Sequence, residues 1–267
     1  MSMVDLHSHV LPGVDDGSPD LEVSLEMLRQ SAAGGTTVLA ATPHQHPGRY
    51  PNQRPVLEEA HARLVAERDR CVAAGETLPE VVLGSEVHLD AGLVERLASG
   101  ELLTLGGSDC VLLELPDVFP SSAVEQALHA LAVAGHRVLL AHPERNAQIL
   151  RKPELLRRYL DLGALAQVTG SSVAGRFGSD CQEVALSWLD IGWVHVVASD
   201  AHDLVRRTTS LAEARAVVED RAGPETARRL FEDCPRSLLA GTPLQLPLPG
   251  EWQPPRRGLW SRVFGRR

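Results

Sequence analysis

The first residues that could do chemistry are two histidines placed two positions apart near the start of the chain. His7 and His9 follow Val4–Leu6, an apolar segment typical of the end of a short β-strand. Side chains two positions apart on a strand point to the same face, so both imidazoles can reach one point. Because neutral imidazole is the commonest protein ligand for a metal ion, the pair predicts half of a metal site.

Two carboxylates follow this histidine pair. Pro12 and Gly13 turn the chain, and Asp15 and Asp16 bring acidic side chains back towards the histidines. A hydrophobic core does not require so many ionisable groups in so short a segment. We expect Asp16 to be a metal ligand, whereas Asp15 could serve only as a turn carboxylate.

The rest of the chain alternates between predicted strands and predicted helices, which is typical of parallel strands joined by right-handed crossovers. The first helix is predicted to have Ser18 as its cap and Pro19 as its first residue. Later helices are predicted at Val56–Ala74, Ala91–Ala98, Ser121–Ala134, Pro153–Leu162, Ser179–Leu189, Ser210–Asp220 and Pro224–Phe231. Seven strands are predicted, at Val4–Leu6, Thr36–Ala41, Val81–Leu83, Cys110–Leu113, Arg137–Ala141, Ala164–Val168 and Val194–Ala198.

Nearly every predicted strand delivers a His, Asp or Glu at its carboxyl end. In a closed parallel barrel these ends meet at one mouth, where active sites lie, whereas an open sheet would spread them along an edge. We therefore predict an α/β fold, a distorted seven-stranded (β/α)7 barrel of the TIM type. The candidate metal ligands at its mouth are His7, His9, Asp16, His44, Glu86, Glu114, His142, Asp200 and His202.

This ligand set indicates more than one metal ion. Nitrogen and oxygen donors without cysteine suit manganese, iron or zinc in a multinuclear site better than a structural zinc. Since the set is too large for one ion, we expect two or three divalent ions, with Glu86 as a bridging carboxylate. Clustered metals produce hydroxide near neutral pH and stabilise the attacking and leaving oxygens of a phosphoryl displacement.

Arginines stand next to these candidate ligands. Arg145 comes three residues after His142, where its guanidinium could bind two phosphate oxygens at once. Arg206 or Arg207, which follow Asp200 and His202, could form a second phosphate contact.

Composition excludes several other classes of protein. The chain has 267 residues and a formal net charge of −9, and an acidic body disfavours broad nucleic-acid binding. No apolar run approaches the ~18–20 residues that span a membrane, and no signal peptide is visible, so we expect a cytoplasmic protein.

The sequence lacks the residues that two other classes of phosphate-processing enzyme need, cysteine phosphatases and nucleotide kinases. A cysteine phosphatase needs an arginine six residues after its nucleophile, and those positions hold Thr77, Pro116, Ser187 and Ala240. The only lysine of the chain is Lys152, and no glycine-rich loop precedes it, so a nucleotide kinase is not supported.

The motifs taken together resemble the PHP (polymerase and histidinol phosphatase) family. Within it, they are most similar to the bacterial tyrosine-protein phosphatases of the CpsB/YwqE type from capsule and exopolysaccharide operons. The resemblance covers about residues 3 to 240, in the order and spacing of the family. It is carried by Asp5-Leu6-His7-Ser8-His9, Asp15-Asp16-Gly17, Thr42-Pro43-His44, Gly84-Ser85-Glu86, Leu113-Glu114, Ala141-His142-Pro143-Glu144-Arg145 and Ala198-Ser199-Asp200-Ala201-His202.

The resemblance implies a distorted seven-stranded barrel with three metal ions, usually manganese. Arg145 matches the phosphate-contacting arginine of the family, while the match around Arg206 and Arg207 is looser; we take Arg207 as the second phosphate contact. By likeness of position, one ion would take His7, His9, Glu86 and Asp200, a second Asp16, His44 and His202, and a third Glu86, Glu114 and His142.

The expected reaction is direct hydrolysis of phosphotyrosine in protein by metal-activated hydroxide, with His44 or His202 assisting the leaving group where the metals leave them free. By family likeness, the substrate is the tyrosine-rich C-terminal tail of a membrane-associated bacterial capsule kinase. Three alternatives remain open: a small-molecule phosphatase such as one for histidinol phosphate, a non-enzymatic regulator of polysaccharide assembly, and a nuclease.

The last residues, 247–267, form a basic tail after a predicted phosphatase domain of residues 1–246. Residues 255–267 contain five arginines and no acidic residue, together with Trp260 and Phe264. One hypothesis is a flexible, solvated terminus. The other is a short interfacial segment within residues 250–267 that contacts anionic lipid or an acidic partner.

Overall fold

The structure of the chain, a computed structural model, describes residues 2–251. The arginines and aromatic residues of the predicted tail, from Trp252 onward, lie outside the described residues. Within residues 2–251, no helix is long and apolar enough to cross a membrane.

Nine parallel strands are present among the described residues, in one sheet of three and one of six. The order in the first sheet is β1-β2-β4, and in the second β3-β5-β6-β7-β8-β9. The strands are β1 Met3–Ser8, β2 Thr36–Ala41, β3 His44–Gln45, β4 Glu80–Leu83, β5 Glu86–His88, β6 Cys110–Glu114, β7 Arg137–Leu140, β8 Leu165–Thr169 and β9 Val196–Ala198.

Helices connect the strands, as the predicted alternation required. They are α1 Leu21–Ala33, α2 Arg54–Ala73, α3 Leu93–Ala98, α4 Ser121–Val133, α5 Ala147–Arg151, α6 Glu154–Asp161, α7 Gly170–Val173, α8 Ser179–Asp190, α9 Ala212–Arg228 and α10 Cys234–Ala240. The predicted α/β class with parallel strands is confirmed.

The start of α1 differs from the prediction. Asp20, not Ser18, caps this helix, because its side chain accepts a hydrogen bond from the Val23 backbone N–H. Ser18 is buried and donates to the Asp20 carbonyl instead. Near residues 210–231 the prediction of two helices agrees with the structure, because Gly223 has a non-helical φ of +84° and divides α9 into two helical parts, the second of which begins at Pro224.

The two sheets meet through backbone hydrogen bonds, and the whole arrangement is curled. Only two residues separate β2 from β3 and β4 from β5. The Thr42 N–H donates to the Ser8 carbonyl at 2.8 Å, next to the end of β1. The Asp200 N–H donates to the His7 carbonyl at 2.8 Å, so the segment after β9 lies beside β1.

Apolar side chains fill the space inside the curl. Side chains alternate along each strand: in β6, Leu112 packs inward with Leu6 and Leu139, while Val111 faces the surrounding helices. Helix α10 covers the amino ends of the strands, where Leu238 joins the inner cluster and Arg236 donates to the Ser2 carbonyl. Helix α10 therefore lies over the amino ends of the strands, whereas an open cavity lies at their carboxyl ends.

Candidate active site

A polar cavity of about 300 Å³ lies at the carboxyl ends of the strands. Two of the candidate ligands, His7 and His9, are fully buried beneath it. The other seven line it, namely Asp16, His44, Glu86, Glu114, His142, Asp200 and His202. The structure thus brings all nine candidates from the sequence to one place.

The two buried histidines face each other. Their Nε2 atoms are 3.2 Å apart. The Nδ1 of His7 lies 2.9 Å from Gln167 Oε1, and the Nδ1 of His9 lies 2.8 Å from Asp15 Oδ2. With the Nδ1 proton donated to these acceptors, each Nε2 faces the centre and can bind a cation once its own proton is released.

Buried carboxylates complete this centre. Glu86 Oε2 lies 3.4 Å from Nε2 of both His7 and His9 and 3.0 Å from His44 Nδ1. Asp200 Oδ1 lies 3.4 Å from His7 Nε2. Neither of these carboxylate oxygens accepts a hydrogen bond of acceptable geometry, although both are buried.

The spacing of these atoms fits a shared cation. Ligand atoms that each lie about 2.1 Å from one ion are about 3.0–3.4 Å from each other. Buried carboxylate oxygens without hydrogen bonds are costly unless something positive compensates them. The chemistry of the donor set and these orphaned oxygens therefore fit divalent metal ions.

Among residues 2–251, four overlapping groups of three or four ligand atoms lie close enough to hold an ion. The outermost group surrounds Asp16, whose Oδ1 lies 3.4 Å from His44 Nε2 and 3.6 Å from His202 Nε2. Together the groups contain all nine candidates: His9, Asp16, His44 and His202; His7, Glu86 and His142; His7, His9 and Asp200; and His44, Glu86 and Glu114.

The electrostatics of the site follow from this crowding. Burial opposes ionisation of Glu86, but the surrounding imidazoles hold its pKa well below the ordinary value. Burial likewise disfavours the charged form of His9, yet Asp15 and Glu86 raise its pKa to about 9. Burial and the nearby His9 lower the pKa of His202 to about 3. Protons on these imidazoles occupy positions that a cation would take.

Backbone strain is concentrated at two of the candidate ligands. Within residues 2–251, only His142 and Asp200 have a positive φ without being glycine, at 34° and 51°. His142 also precedes Pro143, which normally favours extended backbone. Each lies two residues beyond the end of a strand, His142 after β7 and Asp200 after β9, and such strain is typical of functional sites.

Two arginines reach the cavity. Arg145 Nη1 and Arg207 Nη2 each donate to Asp200 Oδ2 at 2.5 Å. The Arg145 guanidinium also lies 5.1 Å from the centre of the Phe177 ring. Arg206, the alternative considered for the second arginine, does not line the cavity. The geometry therefore favours Arg207 over Arg206.

Sequence reasoning missed residues that orient the candidate ligands. Asp15 is not an ordinary turn carboxylate, because it bonds to His9 and accepts from the His44 N–H at 3.0 Å. Gln167 was not considered, although a single polar residue in the middle of a buried strand is a usable signal. Gly17 is also required by position: a Cβ there would lie 2.1 Å from the His9 carbonyl oxygen.

Comparisons with known proteins agree on one family. The family model described as capsular polysaccharide synthesis, CpsB/CapC, matches residues 3–240. The tyrosine-protein phosphatase YwqE of Bacillus subtilis is 33% identical over 98% of this chain and 99% of its own. The putative tyrosine-protein phosphatase CapC of Staphylococcus aureus is 30% identical over 79% of this chain and 81% of its own.

A solved structure agrees with these relatives. It belongs to work on YwqE from Bacillus subtilis and CpsB from Streptococcus pneumoniae, described as unique metal-dependent tyrosine phosphatases. It superposes with a TM-score of 0.88 at 31% identity and covers 94% of this chain and 100% of its own.

Proposed function

The chain belongs to the CpsB/CapC capsular polysaccharide synthesis family, and on this premise we propose that it is a metal-dependent tyrosine-protein phosphatase. As a phosphoric monoester hydrolase, it releases inorganic phosphate from phosphotyrosine in protein. The observation that supports this function most directly is the buried pair Glu86 and Asp200. Each has an oxygen without a hydrogen bond that faces an imidazole nitrogen of His7. Two arginines donate to the other oxygen of Asp200.

The residues that would hold the metal are the nine that converge on the cavity. Two or three divalent ions are expected, with manganese favoured and iron or zinc as alternatives, because the donors are oxygen and nitrogen only. Bound ions would supply a hydroxide nucleophile near neutral pH and offset the negative charge of the phosphate. The proposed ligands are His7, His9, Asp16, His44, Glu86, Glu114, His142, Asp200 and His202.

Arg145 and Arg207 bind the phosphate group. Both guanidinium groups donate to the same oxygen, Asp200 Oδ2, so both point to one place in the cavity. A phosphate group bound there could accept hydrogen bonds from both arginines. Their charge stabilises the transition state as negative charge accumulates on the phosphoryl oxygens. The leaving tyrosinate, with a pKa of about 10, needs little help from an acid. His44 or His202 can give it a proton from an imidazole nitrogen that is left free.

A thiol mechanism lacks support in this structure. None of the four cysteines lines the cavity. Burial raises the pKa of Cys110 to about 12 and that of Cys181 to about 11, so neither forms a thiolate readily. These observations favour direct hydrolysis over a cysteinyl-phosphate intermediate.

The fold that carries this chemistry is a distorted seven-stranded barrel. Supporting this interpretation, Thr42-Pro43 and Gly84-Ser85 each interrupt what is otherwise one strand, so β2 with β3 and β4 with β5 count as two strands. The hydrogen bonds between His7, His9 and the segment 200–201 bring the last strand to the first.

The protein substrate is the flexible tail of a membrane-associated bacterial tyrosine kinase of capsule or exopolysaccharide synthesis. The capsular description of the family and the phosphatase names of the relatives support this partner. We place the reaction in the cytoplasm, and no nucleic acid takes part, since the chain is acidic overall.

The tail beyond the phosphatase domain provides a peripheral membrane contact in this proposal. Residues just beyond the predicted boundary at 246 contact the domain, because the Gly250 carbonyl accepts hydrogen bonds from Arg157 and Trp193. Flotation with anionic vesicles should therefore compare the full chain with a chain that ends at Glu251. Equal flotation of the two would end the idea.

The function is tested by comparing turnover of a phosphotyrosine peptide with that of histidinol phosphate. We expect preferential hydrolysis of the peptide, loss of activity with a chelator, recovery with manganese and insensitivity to thiol alkylation. Preference for histidinol phosphate would replace the proposal with a small-molecule phosphatase. Normal partner binding without metal, and normal cellular function of Arg145→Ala, would instead indicate a non-enzymatic regulator.

A further inference from the structure

A third arginine borders the cavity and takes no part in the proposed chemistry. Arg49 lies on the turn between β3 and α2, and its side chain is exposed. Within residues 2–251 it forms no ion pair. In contrast, Arg145 and Arg207 are both bound to Asp200, deeper in the same cavity. Once those two contact phosphate, Arg49 is the arginine of this cavity left for groups beyond the phosphate.

The turn that carries Arg49 is held firmly. His46 and Tyr50 exchange two backbone hydrogen bonds of 3.0 and 2.8 Å across it. The side-chain amide of Asn52 then donates to the carbonyls of Val14 and His44, both at 2.9 Å. This turn is therefore tied to the loop and the strand that carry Asp16 and His44, and it keeps a fixed position beside the metal-ligand candidates.

An aromatic ring further orients Arg49. Its guanidinium carbon lies 5.3 Å from the centre of the Tyr50 ring, within the range of a cation–π contact. The Tyr50 ring in turn stacks on the His44 imidazole, with centroids 5.2 Å apart and planes only 5° from parallel. An arginine held in this way loses less conformational freedom on binding than a free one.

The charge around the cavity decides what Arg49 can bind. Asp117, on the opposite loop after β6, is exposed and repels acidic groups. The chain as a whole is acidic at −9. In this acidic surrounding, Arg49 is an oriented cation without an ion-pair partner. It attracts a carboxylate of the substrate, whereas a neutral side chain gains no charge attraction from it and a basic one is repelled.

We infer that Arg49 binds an acidic side chain next to the phosphotyrosine, so that this enzyme prefers phosphotyrosine peptides with Asp or Glu beside the phosphorylated residue. The inference rests on the proposed function and specifies its substrate class. Arg49 acts here as a specificity residue, outside the contacts made to the phosphate itself.

The test uses two phosphotyrosine peptides that differ only by Glu or Gln beside the phosphotyrosine. The quantity measured is the ratio of their kcat/KM values with the full chain and manganese at low ionic strength. The wild-type ratio should favour Glu by about two- to fivefold, the range of an exposed ion pair. Arg49→Ala should bring the ratio to about one, and Arg49→Glu should invert it. The Gln peptide is the internal reference that removes any general loss of activity.

A matched control separates the local contact from net charge. Arg63 is an exposed arginine of α2 that does not line the cavity, so Arg63→Ala changes the net charge equally and should keep the wild-type ratio. Tyr50→Phe retains the ring under Arg49 and should keep it as well. A wild-type ratio of one, or an equal loss on both peptides in Arg49→Ala, would overturn the inference.

Failure of the proposed function would be visible separately. If the wild-type protein hydrolyses neither peptide, the test measures binding instead. Both peptides are made with a difluoromethylphosphonate, which cannot be hydrolysed, in place of the phosphate, and their binding is measured by fluorescence anisotropy. A Glu preference in binding that Arg49→Ala removes would support the role of Arg49 even then. Equal binding of the Glu and Gln forms by the wild-type protein would exclude it.

Discussion

The two ends of the strands use the same kinds of residue in opposite ways. At the amino end, charged groups are satisfied within the protein: Arg137 donates to both carboxylate oxygens of Asp109, each at 3.0 Å from Nε. At the carboxyl end, Glu86 and Asp200 keep buried oxygens without hydrogen bonds. The amino end is built for stability, and the carboxyl end leaves interactions open for ligands.

Histidine shows the same contrast. At the amino end, His195 is buried, and its Nδ1 accepts a hydrogen bond from the Ala166 N–H at 3.1 Å. Burial, helped by the charge of Arg229, lowers the pKa of His195 to about 4, so it stays neutral. At the carboxyl end, burial opposes protonation of His44, but Asp16 and Glu86 raise its pKa to about 11. One histidine is structural and uncharged, and the other belongs to a group that can exchange protons for cations.

The largest effect is expected for Glu86→Gln, which keeps the shape but removes the carboxylate that faces four imidazoles, those of His7, His9, His44 and His142. Turnover of a phosphotyrosine peptide should fall by on the order of 10³-fold or more, because metal binding and charge stabilisation are lost together. Elemental analysis should show reduced metal content, and the rise of Tm with added manganese should disappear.

A matched substitution makes this result interpretable. Glu144 is also a buried glutamate with one oxygen, Oε2, that has no hydrogen bond, but its Oε1 accepts from the Thr169 N–H and the Ser172 hydroxyl. Unlike Glu86, it forms no hydrogen bond or ion pair with a histidine within residues 2–251. Glu144→Gln should retain the rise of Tm with manganese. If both variants lose that rise equally, Glu86 has no specific role in binding metal, and the carboxyl end does not differ from the amino end in the way proposed.

The next effect concerns the phosphate contact at the same end. Arg145→Ala should lower kcat/KM by about 10²- to 10³-fold, or about 3–4 kcal/mol of transition-state stabilisation, as when a preorganised donor is removed. Metal content should be unchanged, since arginine is not a ligand. Loss of metal together with activity would instead show that Arg145 acts by holding Asp200 in place.

Much of the site could be predicted because it depends on local pattern. The β-branched and apolar segment Thr36–Ala41 was predicted with the bounds of β2, and nearly every predicted strand delivers a polar residue to the same end. What failed depends on distant contacts. His7 and Gln167 are 160 positions apart, so no local pattern connects them. The cap of α1 was placed wrongly because Ser18 and Asp20 are both good capping residues, and only packing decides between them.

His195 provides a test of the amino end by pH. Its folded-state pKa of about 4 lies below the ordinary value of 6.5, so the unfolded chain takes up the proton first. Stability that is present above pH 6.5 should therefore be lost as the pH falls to about 4, by about 3 kcal/mol. In His195→Asn, the side-chain oxygen can still accept from Ala166 but does not titrate. The free energy of unfolding, measured with urea, should therefore fall more for wild type than for the variant between pH 6.5 and pH 4. A difference between the two proteins that does not change with pH would contradict the prediction.

The smallest effect is expected for the ion pair between Asp109 and Arg137. The pair is partly exposed, with 38% and 24% of the two side chains accessible, so solvent weakens it. A double-mutant cycle of Asp109→Asn and Arg137→Gln should give a coupling of about 1 kcal/mol in the free energy of unfolding. Asp109→Asn should lower Tm by about 2–4 °C for a chain of this size and leave kcat/KM unchanged. A tenfold fall in kcat/KM with normal metal content would mean that the two ends are energetically coupled, because neither Asp109 nor Arg137 lines the cavity.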